Sequence, residues 1–203
     1  MDKTRLARRE REKSVHRSEI LRTALELFSQ KGFHNVSMQE IAQKAEFAVG
    51  TLYNFFEDKE DLYKALVLGQ VKIFHNELSK AIESTGEETE KIINYIRTKR
   101  KVFSENAPMI RLYFTETQGT SLNIKAGLEP EIREHYENFL RKIAEVFKSG
   151  IRKKKFKNLL DPYYMAVALE SLTNAFLFLW LEDPEQYPYS ENVDAIAEIF
   201  FEK

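Results

Sequence analysis

The sequence predicts an all-α chain of about nine helices, on three observations. Apolar residues recur at the three-and-four spacing of a helix along nearly the whole chain. No period of two persists for the length of a strand. Glutamate outnumbers aspartate 26 to 6 in 203 residues, and Lys and Arg together number 31. Glu, Lys and Arg lose little side-chain freedom in a helix, whereas Asp competes with its backbone.

The elements follow in order. Ile20, Leu21, Ala24, Leu25, Leu27 and Phe28 form the first stripe, and Gly32 stops that helix as a C-terminal cap. Ser37-Met38-Gln39-Glu40 is a capping box, which starts a short second helix carrying Met38, Ile41 and Ala42. After a break at Ala45-Glu46-Phe47, a third short helix runs from about Ala48 to Phe55. Asp58 caps a fourth, from about Lys59 into the eighties, which Gly86 ends. The fifth spans Glu87 to about Asn106, with Ile92, Ile96 and Phe103 inward. Pro108 opens a sixth through Phe114, and residues 117–127, with Gly119 and Gly127, read as a loop. Pro130 opens the seventh, striped by Ile132, Tyr136, Phe139, Leu140, Ile143, Phe147 and Ile151. Asp161-Pro162 starts the eighth, which is apolar around most of its circumference. Ser190 caps a ninth carrying Val193, Ile196, Ile199 and Phe200.

Composition narrows the function. With no cysteine, disulfides, thiolate catalysis and Cys-based zinc sites are excluded. The four histidines, His16, His34, His75 and His135, are scattered and match no metal-binding spacing. No nucleophile–base constellation and no Gly-rich phosphate loop appears, so no enzyme activity, cofactor or metal is expected. The basic N-terminus has no apolar run behind it, and the longest apolar stretch, Ala175 to Leu181, is far short of a membrane span. A cytoplasmic protein with no membrane partner is the expectation. The formal net charge of −1 speaks against nucleic acid, but its distribution speaks otherwise. Residues 1–17 hold seven bases against three acids, and that excess either attracts phosphate or belongs to a solvated helix laced with ion pairs.

Two short helices joined by about three residues, after a longer one, match a helix-turn-helix at about 37–56. Its second helix must enter a groove about 12 Å wide, so one or two turns suffice. The residues Ile20-Leu21, Ala24-Leu25, Leu27-Phe28, Lys31-Gly32-Phe33, Ser37-Met38, Glu40-Ile41-Ala42, Gly50-Thr51-Leu52-Tyr53, Phe55-Phe56, Lys59-Glu60 and Leu62 carry a resemblance. In this spacing, over about residues 16–76, the chain closely resembles the tetracycline-repressor (TetR) family.

Charge sets off a basic N-terminal arm over 1–15, and the resemblance implies a DNA-binding domain over 16–76 and a ligand-binding and dimerisation domain over 77–203. It implies phosphate contacts from Ser37, Tyr53 and Lys59, a groove-facing surface of Ala48, Val49, Thr51 and Asn54, and close approach to DNA at Gly50. The chemistry agrees, since Asn pairs with adenine and the Val and Thr methyls meet thymine methyls. Leu52, Phe55 and Phe56 read as core. The sequence departs from the family at Glu46, where Gly is frequent, and at Ala48, where Ser or Thr is frequent. A left-handed non-Gly residue and a missing cap each cost about 1 kcal/mol.

For the C-terminal part, Phe74, Phe103, Arg111, Tyr113, Phe114, Asn174 and Phe178 are candidate ligand-binding residues, because aromatic walls with a few polar handles describe a pocket. They describe an ordinary core equally well. Leu169, Leu172, Phe176, Ile196 and Phe200, on the eighth and ninth helices, are candidate dimer contacts. The expected function is a ligand-responsive transcriptional regulator, a repressor, binding double-stranded operator DNA as a homodimer and released by a small hydrophobic effector. The alternatives are an effector-free DNA-binding protein and, last, an enzyme housed in the helical domain.

Overall fold

The computed structural model describes residues 3–116, 130–188 and 193–202. The loop expected at 117–127 and the cap expected at Ser190 lie outside them. Among the described residues are nine helices: α1 (Lys3–Lys31), α2 (Met38–Lys44), α3 (Val49–Tyr53), α4 (Lys59–Glu83), α5 (Glu88–Glu105), α6 (Ala107–Glu116), α7 (Pro130–Arg152), α8 (Pro162–Glu182) and α9 (Val193–Glu198).

The helices divide into two compact units. The first runs to Gln70 and takes in α6 from Pro108. The second begins at Val71, runs to Ala107, and takes in α7 to α9. The boundary expected after residue 76 thus falls slightly earlier in α4, and α6 belongs with the first unit.

Local rules set the first unit. Gly32 has φ 78, and its amide donates to the Phe28 carbonyl at 2.8 Å, closing α1. Ser37 accepts from the Glu40 amide at 3.2 Å, the first half of the capping box. Ile20, Ala24 and Phe28 of α1, Ile41 of α2, Leu52 of α3 and Leu62 of α4 are all buried to 1% exposure or less. The basic N-terminal segment is helical, as the solvated-helix alternative had it, and α1 is continuous from Lys3. Helix-forming Arg, Lys and Glu fill it, with pairs such as Arg8–Glu12 at 2.9 Å one turn apart.

The second unit has one core. Leu78 and Ile82 of α4, Ile92, Tyr95 and Ile96 of α5, Phe139, Leu140, Ile143 and Phe147 of α7, and Met165, Ala166, Leu169 and Leu177 of α8 pack into one cluster. α8 is long and apolar enough to cross a membrane by composition, yet one side is sealed in this core. The ninth helix stops at Glu198, earlier than expected. There the chain turns extended, and Lys157 and Glu202 donate backbone hydrogen bonds to Phe200 and Lys155, a single antiparallel bridge beside Phe156 and Phe201. Phe156 packs tilted against Phe147, with ring centres 5.1 Å apart, and fills the space over Gly150, where a Cβ would stand 2.2 Å from its ring.

Candidate functional site

α3 is five residues long and buries only Leu52. Phe55, half-buried, and Phe56, buried, close the same core beneath it, as expected of them. The rest of the short helix faces out. Ala48, Val49, Gly50, Tyr53 and Asn54 are exposed and Thr51 is half-buried. Gly50 has an ordinary helical backbone, and a Cβ there would meet nothing within 4 Å, so its value is a flat place on an outward surface.

Both departures noted in the sequence have the expected geometry. Glu46 sits at φ 59, in the left-handed region. Ala48 is the N-cap of α3 and supplies no side-chain hydrogen bond. The turn keeps its shape through backbone bonds, Phe47 to Ala42 at 2.9 Å and Thr51 to Ala48 at 2.8 Å.

Ser37, Tyr53 and Lys59 come from three different elements and converge on one open concavity of about 480 Å³, with His34, Asn35, Gln39 and Asp58 also on its walls. Ser37 and Tyr53 are exposed. Lys59 is not a free cation. Its ammonium donates to the Phe33 and Val36 carbonyls, both at 2.9 Å, and lies 4.4 Å from the centre of the Phe33 ring. Lys59 therefore fastens the loop between α1 and α2 to the start of α4, a role the sequence did not reveal.

The residues singled out in the C-terminal part fare differently. Phe74 and Phe103 meet at 6.4 Å between ring centres, and Asn174 is buried. Phe178 is half-buried. Arg111, a candidate ligand handle, is exposed on α6, in the first unit. The side chains of Tyr113 and Phe114 lie outside the described residues. Leu169, Ile196 and Phe200 are buried in the chain's own core and have no surface left for a partner, which corrects their reading as interface residues. Leu172 and Phe176 are half-exposed.

What sequence reasoning missed is a buried polar cluster on α5 and α8. The Lys99 ammonium donates to Glu170 Oε2 at 2.9 Å and to Thr173 Oγ1 at 2.8 Å. The Tyr95 hydroxyl donates to the other Glu170 oxygen, and Asn174 also bonds that carboxylate. Lys99 lies 5.7 Å and 5.9 Å from the Tyr95 and Phe103 ring centres. Burial pushes the Glu170 carboxyl up to about 8 and the Lys99 ammonium well down, so each charge depends on the other. Beside them His75 stacks on Phe139 with its Nδ1 buried and unpartnered, and burial, His135 and Lys99 hold its pKa at about 4. A signal was present: Lys99 falls on the stripe of Ile92, Tyr95, Ile96 and Val102, and Glu170 on that of Ala166, Leu169 and Leu177, so each is a charge at a core position. Among the described residues, no group of three His, Asp or Glu could hold a metal ion.

Comparison with known proteins agrees with this geometry. The sequence profile of the bacterial regulatory proteins of the tetR family matches residues 20–66. The helix-turn-helix-type transcriptional regulator YdgC of Bacillus subtilis is 24% identical over 180 residues, covering 83% of this chain and 84% of its own. The regulator UidR of Escherichia coli is 44% identical over 52 residues, 26% of either chain. A transcriptional regulator from Saccharomonospora viridis, solved in complex with choline, superposes with a TM-score of 0.75 at 18% identity, over 94% of this chain and all of the other, a likeness of fold. Over residues 20–66 the chain thus carries the N-terminal domain of the tetR family of bacterial regulatory proteins, and over most of its length it is similar to a bacterial transcriptional regulator.

Proposed function

We propose that the chain is a ligand-responsive repressor that binds a palindromic operator as a homodimer in the cytoplasm and is released by a small effector. The observation that carries the DNA reading is the convergence of Ser37, Tyr53 and Lys59 on one concavity beside the outward face of α3. In this reading the concavity seats a backbone phosphate: the Ser37 and Tyr53 hydroxyls donate to it, and Lys59 adds its charge at the edge while holding the loop. Ala48, Val49, Gly50, Thr51 and Asn54 then face the major groove, Asn54 reading a base edge and Gly50 letting the backbone come close.

Dimerisation is assigned to the outer side of α8. Tyr164, Ala175 and Leu179 are exposed there and Ala168, Leu172 and Phe176 half-exposed, an apolar row at helical spacing. Two copies are needed because a palindrome has two half-sites, about 34–36 Å apart for one turn of DNA. The effector is assigned to the second unit, beside Phe74, Phe103, Asn174 and the Lys99–Glu170 pair. Aromatic rings beside a buried polar pair suit a hydrophobic molecule with one polar end.

Genome-wide recovery of the DNA that the chain occupies tests this. A palindromic motif upstream of a few genes is the expected result, and those genes identify the pathway that supplies the effector. Occupancy spread without a motif overturns the operator reading.

A further inference from the structure

The matched domain begins at residue 20, yet α1 begins at Lys3. Among the described side chains every residue from 7 to 19 is exposed, and Ile20 is the first buried one. A helix polar on all sides, with no core to pack against, is marginal alone and gains order from a partner. Its direction is fixed where it meets the helix-turn-helix. The His16 ring lies 5.0 Å from that of Phe47, which immediately precedes the N-cap of α3, and the Arg17 guanidinium lies 5.1 Å above the Phe56 ring. The helix therefore passes the N-terminal end of α3 and continues for thirteen residues, about 20 Å at 1.5 Å each.

Its charge matches one partner. Arg5, Arg8, Arg9, Arg11 and Lys13 stand against Glu10 and Glu12. The ion pairs present, Arg8–Glu12 at 2.9 Å and Lys13–Glu10 at 3.7 Å, join side chains more than half exposed, and such pairs are weak enough to exchange for phosphate. DNA presents one negative charge per about 1.7 Å of axis, so a 20 Å basic helix beside the groove lies among many phosphates.

We propose that residues 3–17 of α1 are a second DNA-binding element, a basic helix that follows the phosphate backbone flanking the half-site occupied by α3 and is ordered by it. The proposal rests on the reading that α3 enters a major groove. The helix adds affinity and salt dependence without reading bases, and it lengthens the footprint beyond the half-sites.

The test compares the full chain with its R8Q/R9Q/R11Q/K13Q variant, which changes only exposed side chains. The probes are a 40-base-pair duplex that the unaltered chain selects from a random pool, the same duplex trimmed to its palindrome, and vesicles rich in phosphatidylserine. The expected result is an unchanged thermal midpoint and an unchanged base preference. Affinity for the long duplex falls at least about tenfold at physiological salt, and the slope of log K against log salt becomes shallower by about 0.9 for each phosphate that the variant leaves unneutralised. The unaltered chain alone should prefer the long duplex to the trimmed one. An unchanged slope overturns the proposal, and loss of vesicle binding with an unchanged slope assigns the helix to a membrane surface instead. If the pool yields no selected sequence, the reading of α3 fails separately, and the slope on a random duplex still decides the arm.

Discussion

The helix-turn-helix and the core of the second unit treat polar side chains in opposite ways. In the first unit the groups of interest, Tyr53 and Asn54 among them, stand exposed on a helix only five residues long. In the second, Lys99 and Glu170 are buried to 2% and 4% exposure and meet each other across 71 residues of chain. An exposed polar group costs little to hold and is free to meet a ligand. A buried charge survives only with its partner, so it fixes the packing of two helices and is sensitive to anything that disturbs them. The contrast teaches where each proposed activity would sit: recognition on a surface that local rules build, and effector response in a core that long-range contacts build.

The largest effect expected from this contrast is at Lys99. K99A leaves Glu170 buried without its cation and should cost about 3–5 kcal/mol in denaturant unfolding. Replacing both, as K99M/E170L, should recover most of that loss. A single variant as stable as the parent would mean that the pair is not held as the structure has it.

Acid comes next. His75 has a folded pKa near 4, below its ordinary 6.5. Its protonation therefore favours the unfolded chain, and its contribution is complete above about 6.5 and lost as pH falls toward 4, by up to about 1.4 kcal/mol per unit. Glu88, bonded by Lys153 and Ser149, is held down to about 2. Its contribution is present above about 4.5 and lost as pH falls toward 2. Unfolding measured along a pH series should show two successive losses. H75F, which keeps the stack on Phe139, should remove the upper one and E88Q the lower, with the first unit's DNA affinity untouched by either near neutral pH.

Lys59 gives an intermediate effect that separates two roles in one residue. Because its ammonium satisfies the Phe33 and Val36 carbonyls, K59A should lower the stability of the first unit by about 1–3 kcal/mol as well as weaken DNA binding. A loss of DNA binding with no loss of stability would leave phosphate as its sole partner.

The smallest effects are gains. A48S supplies the missing cap of α3, and E46G relieves the left-handed residue before it. Each should add about 1 kcal/mol or less to the stability of the first unit. Thermal midpoints check both, and a drop in either would mean that the turn is held in another geometry.

These elements also mark what was legible. Ser37 as a cap, Gly32 as a stop and Glu46 as a left-handed residue rest on three or four neighbouring positions, and nearby positions are what a sequence displays. The outward face of α3 was legible for the same reason. The Lys99–Glu170 contact was not, because nothing local says which core position of α5 meets which of α8. Leu169, Ile196 and Phe200 looked suited to a partner because an apolar helix shows its stripe without saying which part its own chain covers. The basic segment stayed open between a phosphate-binding arm and a solvated helix because it has no apolar stripe, only an Arg, Lys and Glu content that favours a helix.

The central claim is that the exposed face of α3 reads DNA while Tyr53 positions it, and one measurement tests it most directly. The parent, Y53F and N54A each select from a random DNA pool, and their affinities for the parent's site and for each single-base variant of it are then measured. Y53F should keep the parent's preference and bind every sequence more weakly by a similar factor, since a phosphate contact carries no sequence information. N54A should lose about 1–3 kcal/mol of discrimination at one base pair in each half-site and keep the rest. If N54A retained full discrimination everywhere and Y53F bound as the parent does, α3 would not be the helix in the groove.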